Sequence, residues 1–188
     1  MKDVIRTDAE LAAYSSEHLR YELQMLSYTA NELSRMQNPS PQASALLESF
    51  CLHLRNLIEF FFTKPGDEKD DDVIAHDFCP RWSEKISPLL DKAAVRANKE
   101  VTHLTLQRKS GFDPAKPWNT VALFNEITAV ANRFVDRADD AKLSAEVSNW
   151  LTSHHNLHTP IRVGVSITTS NTTATMIVSP PVKATEGP

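Results

Sequence analysis

The sequence predicts an all-α fold: an up-and-down bundle of about five helices, with a small C-terminal β-hairpin or extended segment. Apolar residues recur at three- and four-residue spacing in five separate stretches. Clusters rich in Pro, Asn, Ser, Gly or Asp divide these stretches. Only after Pro160 does the apolar period shorten from about 3.6 to 2 residues, the alternation of a strand. The expected organisation is a bundle domain over 1–158, a β-prone hairpin over 159–179 and a disordered tail over 180–188.

The first helix is expected from an Asp8 N-cap, with Glu10 in its opening turn, to about Gln37, where Asn38-Pro39-Ser40-Pro41 stops it. Its buried side is Leu19, Leu23, Leu26, Ala30 and Leu33. The second carries an unbroken stripe, Leu47, Phe50, Cys51, Leu54, Leu57, Ile58 and Phe61, and ends at Thr63-Lys64-Pro65-Gly66. An acidic loop, Asp67 to Asp72, leads to Val73–Trp82, which has room for one turn of helix. Ser87-Pro88 reads as N-cap and first residue of a third helix, packed through Leu90, Ala93, Ala94, Ala97, Val101 and Leu104 and closed by Ser110-Gly111 and Pro114. A fourth begins near Pro117 with Phe124, Ile127, Ala131, Phe134 and Val135 on one face. A fifth, from about Asp140, buries Leu143, Val147, Trp150 and Leu151. Ile161, Val163, Val165 and Ile167 then alternate with smaller or polar residues, and a second β-prone run reaches Val178. A two-stranded hairpin needs something to pack on, either the bundle or a partner.

Composition narrows the function classes. A formal net charge of −4 argues against an all-over nucleic-acid coat and leaves only a local basic strip for phosphate. With only 4 glycines there is no phosphate-cradling loop, and no nucleophile elbow, dinucleotide fingerprint or HExxH helix is present. No apolar run approaches the roughly 18 residues of a membrane span, so no membrane partner is expected. The stretch MKDVIRTDAEL lacks the apolar segment of a secretory signal, which points to the cytoplasm and to reduced thiols at Cys51 and Cys79.

The sharpest candidate chemistry lies at Arg96 and His103. Seven residues at about 100° each return to within about 20° of the start, so on an α-helix both side chains share a face beside the apolar stripe. Lys92, Lys99 and Gln107 border that face, and Arg108 and Lys109 follow. A guanidinium fixes a phosphate through paired hydrogen bonds, and an imidazole moves a proton near neutral pH. Together they are the minimum for metal-free RNA cleavage by attack of the ribose 2′-hydroxyl on its own phosphate. The plainer account of the same residues is a solvated basic face with a satisfied histidine.

An Arg-x6-His motif on a late helix of a bundle resembles the HEPN superfamily. Asn98-Lys-Glu-Val-Thr-His-Leu-Thr105 is similar to the N-K-x-x-A-H form found in abortive-infection members, with Thr102 where Ala is usual. The resemblance implies an all-helical homodimer, Arg96 and His103 as catalytic residues, an RNA substrate, no cofactor, and a defence or toxin–antitoxin setting with an antitoxin or other protein partner. Asn98 and Lys99 would support the pair. One departure stands out: the family often places Asn, Asp or His directly after the arginine, and here Ala97 stands there with Asn98 one place later.

His53 and Asn56 are further candidates for a supporting role, since His53 flanks the stripe of the second helix within reach of the third. Arg55 and Glu59, four apart, read as a surface ion pair. For metal, His53, His76, Asp77 and His103 are ligand types that could meet between helices, but nothing in the spacing makes them converge. His154, His155 and His158 include an i,i+4 pair able to bind zinc, but a site needs three or four ligands and histidines at a helix C-terminus also suit the dipole, so no metal is expected. The rival reading from another class is a non-catalytic protein-interaction module that adds its hairpin to a partner's sheet.

Overall fold

A computed structural model describes residues 6–36, 38–69, 71–102 and 117–154. Among them the chain is all helix and turn, with no strand. The hairpin and tail expected over 159–188 lie outside the described residues.

The first rod consists of α1 (Asp8–Tyr14), a π-helical turn (Ser15–Leu19) and α2 (Arg20–Arg35), joined without a break. Its N-cap is Thr7, one residue before the expected Asp8. Thr7 Oγ1 accepts from Glu10 N at 3.2 Å, and Thr7 N donates to Glu10 Oε2 at 2.7 Å, so two otherwise orphaned donors are satisfied reciprocally. Asp8 then falls in the first turn, where its carboxylate suits the positive end of the helix dipole. Met36 is already extended, so the helix ends at Arg35, two residues before Gln37.

Ser40 caps α3 (Pro41–Phe62), accepting from Ala43 N at 3.0 Å, with Pro41 in the position that has no need of an N–H. All seven residues of the expected stripe are buried. Gly66, at φ 93°, turns the chain after α3 in a conformation that L side chains avoid. The expected turn of helix before Trp82 is α4 (Ala75–Phe78). Ser87 caps α5 (Pro88–Arg96) as expected, accepting from Leu90 N at 3.2 Å. Asn119 opens α6 (Thr120–Val135), and α7 (Ala145–His154) completes the described chain.

In the bundle α2 packs along α3, and α6 lies against α2, α3 and α5. α7 docks on α6 and on the first π turn, where buried Ser15 Oγ accepts from Ser144 N at 2.8 Å. At the far end of α3 the core is aromatic. Phe60, Phe61, Phe78, Trp82 and Phe134 meet with ring centroids 5.0–6.1 Å apart, mostly edge to face, the arrangement that aligns ring edges with ring faces. Trp82 Nε1 donates to Phe61 O at 2.7 Å, so its burial leaves no orphan donor. This cluster holds the short α4 in place, because a four-residue helix has no stability of its own. Among the described residues no helix is long and apolar enough to cross a membrane.

Candidate functional site

The α-helix of α5 ends at Arg96 and widens into a π turn, Ala97–Thr102, the stretch that carries the Arg-x6-His motif. π turns are rare and recur at functional sites. The stretch is coiled as expected, but the coil is wider. An i→i+5 turn takes more residues than an α turn, so the α-helical count that aligned positions 96 and 103 does not carry across it. His103 itself lies outside the described residues.

Arg96 is held on two sides. Its Nε lies 3.2 Å from each Glu100 carboxylate oxygen, and Nη2 donates to Oε2 at 3.0 Å. This is a forked guanidinium–carboxylate pair, the strong form of such contacts. One face of the guanidinium stacks on Trp118, 4.1 Å from the ring centre. Nη1 reaches Pro117 O at a long 3.4 Å. The Arg96 and Glu100 side chains keep 18% and 11% of their exposure, so the pair sits at the rim of the bundle and neither side chain is sealed in its core.

Cys51 of α3 lies close enough to feel both charges. Burial pushes its thiol up to about 12. The positive charge of Arg96 pulls it down and the negative charge of Glu100 pushes it up, so both charges stand close to this wall of α3. Trp118 Nε1 is buried with no acceptor. An orphan N–H of this kind costs about 1–3 kcal/mol, and here it belongs to the ring that supports Arg96.

Asn98 and Lys99 are exposed on the π turn beside Arg96. His53 is elsewhere. It is buried between α2 and α3, with Nδ1 2.7 Å from Glu22 Oε2 and the Tyr21 ring edge-on at 5.7 Å. The carboxylate only accepts, so it fixes the ring proton on Nδ1. His53 stands two residues after Cys51, about 200° round α3, and therefore faces α2 rather than Arg96. Asn56 is half-buried on α3, next to an Arg55–Glu59 ion pair of 2.8 Å that the i,i+4 spacing predicts. Among the described residues no group of three or more His, Cys, Asp or Glu side chains is placed to hold a metal ion. Asp77 instead accepts from Ile74 N at 2.9 Å and lies 3.7 Å from Arg6. His155 and His158 lie outside the described residues.

Two residues of this site escaped the sequence reading. Glu100 stands four places after Arg96, a spacing that signals a helical ion pair and was legible. Trp118 lies 22 positions away and arrives only through the packing of α6 against α5. Comparison with protein-family models, with curated proteins and with solved structures finds no match to this chain.

Proposed function

We propose that this chain is an RNA-directed helical domain of HEPN type, acting as a metal-independent ribonuclease in a defence or toxin–antitoxin setting. The observation that carries the reading is Arg96, a guanidinium stacked on an indole at the rim of the bundle, on a π turn that also exposes Asn98 and Lys99. A cation so placed suits a backbone phosphate, which presents two oxygens to the same fork that a carboxylate takes. Arg96 binds and polarises the scissile phosphate. His103 moves a proton from the 2′-hydroxyl or to the leaving oxygen, and Asn98 orients one of these groups. The active form is a homodimer in which two copies of α5 meet. Leu89, exposed and seven residues before Arg96 on the same side of α5, supports such a face.

The test is RNA cleavage in EDTA by the native chain and by His103→Ala and Arg96→Ala. His103→Ala is expected to lose activity by a factor on the order of a hundred to ten thousand, the usual contribution of a positioned acid–base group, and Arg96→Ala by on the order of a hundred to a thousand, the usual contribution of one charge-stabilising donor. Cleavage that persists unchanged in His103→Ala contradicts the catalytic role. One observation favours the interaction-module reading instead. Tyr21 and Tyr28, seven residues apart on α2, are both about half exposed and present an aromatic face that a protein partner would cover.

A further inference from the structure

The guanidinium that would receive a phosphate already holds an anion. Glu100 presents two oxygens to the Nε–Nη2 edge of Arg96, the same geometry in which a phosphodiester presents its two non-bridging oxygens. The carboxylate also brings a full negative charge to within about 3 Å of any anion docking on that edge, and the 11% exposure of its side chain leaves little water to screen it. Trp118 covers one face of the guanidinium, while its own Nε1 is buried without an acceptor. The arrangement is thus satisfied at the arginine and unsatisfied at the ring beneath it, as expected of a site whose packing is completed only when an oxygen acceptor arrives or moves.

We propose that Glu100 gates the site: it occupies Arg96 in the free protein and must leave the guanidinium before a single-stranded RNA phosphate can take its place. The gate rests on the reading of Arg96 as the phosphate-binding cation. Its consequence is a chain that holds RNA weakly until Glu100 is displaced, with selectivity for ligands offering enough additional phosphates or stacked bases to offset the lost ion pair. A lone inorganic phosphate, with one contact to exchange for one, gains little.

The experiment measures the affinity of the full chain for a short 2′-O-methyl RNA, which has no free 2′-hydroxyl to attack, by fluorescence anisotropy at one fixed salt concentration. Glu100→Gln keeps the shape and removes the charge. It is expected to bind about tenfold more tightly than the native chain, and Arg96→Ala should abolish that gain in the double variant. If Arg96→Ala weakens binding by the native chain but Glu100→Gln binds equally or less tightly, the gate is overturned and the phosphate-site reading survives. If Arg96→Ala leaves RNA binding unchanged, the phosphate-site reading falls and takes the gate with it. Should Glu100→Gln fail to fold, as judged by circular dichroism, the native chain still decides. Its Arg96 Nε–H resonance is expected to leave its carboxylate-bonded position as RNA saturates the protein, and a resonance that stays put overturns the gate.

Discussion

Cys51 is a core residue that the charges of Arg96 and Glu100 still reach. Burial favours the neutral thiol, so the folded chain keeps the proton up to about 12 against an ordinary 9.0. Stability from this source is complete below pH 9 and is lost as the pH rises from 9 toward 12, because the unfolded thiol ionises first. Only the thiolate is alkylated. Iodoacetamide at pH 8 should therefore label Cys51 about a thousandfold more slowly in the native chain than in urea, on the difference in thiolate fraction alone. Peptide mapping separates Cys51 from Cys79, and a native rate near the urea rate would contradict the burial. The sequence placed Cys51 correctly, because its position in a seven-residue apolar stripe is a local pattern. The partner of His53 was not legible in the same way. Glu22 stands 31 residues earlier, and only the packing of α2 on α3 brings the carboxylate to the ring.

Among the elements, caps and stripes were legible and helix hydrogen-bond registers were not. Ser87-Pro88 opens α5 as expected, since a hydroxyl followed by a residue that lacks an N–H is a local start signal, and Ser40-Pro41, expected only to stop the first helix, opens α3 by the same signal. The cap of α1 falls on Thr7 instead of Asp8 because Thr7 and Glu10 form a reciprocal box. That box has a pH signature. Hydrogen bonds from the Thr7 backbone and then from its side chain hold the Glu10 carboxyl below its usual 4.5. The capping contribution is present above that value and is lost as the pH falls through the lower, folded one. The amide resonance of Thr7 should accordingly titrate with a midpoint below 4.5, and it should lose this transition in Glu10→Gln. A midpoint at or above 4.5 would show that the box does not form. The two π turns, at Ser15–Leu19 and Ala97–Thr102, have no counterpart in the apolar spacing, which counts turns of 3.6 residues and does not register an i→i+5 bond. This gap matters most at the second turn, where the alignment of Arg96 with His103 had been counted on α-helical geometry.

For the molecule as a whole, the period of the apolar residues was enough to establish a helical bundle, because each apolar stripe needs a neighbour to bury it. The order in which the stripes meet was not legible. The Phe60, Phe61, Phe78, Trp82 and Phe134 cluster draws on three helices and a loop, and no window of sequence contains more than part of it. The candidate site was half legible: Arg96 was named from its motif, while Trp118 was placed against it by the packing of α6 on α5. Arg96, a cation at the rim of a molecule with a net charge of −4, is the feature on which the functional account depends. The most direct measurement of it is the salt dependence of binding to a short 2′-O-methyl RNA, compared between the native chain and Arg96→Ala. If Arg96 contacts a phosphate, the variant binds more weakly, and its plot of log affinity against log salt is shallower by about 0.7 for each arginine removed from the complex. Parallel plots with equal affinity would contradict the account.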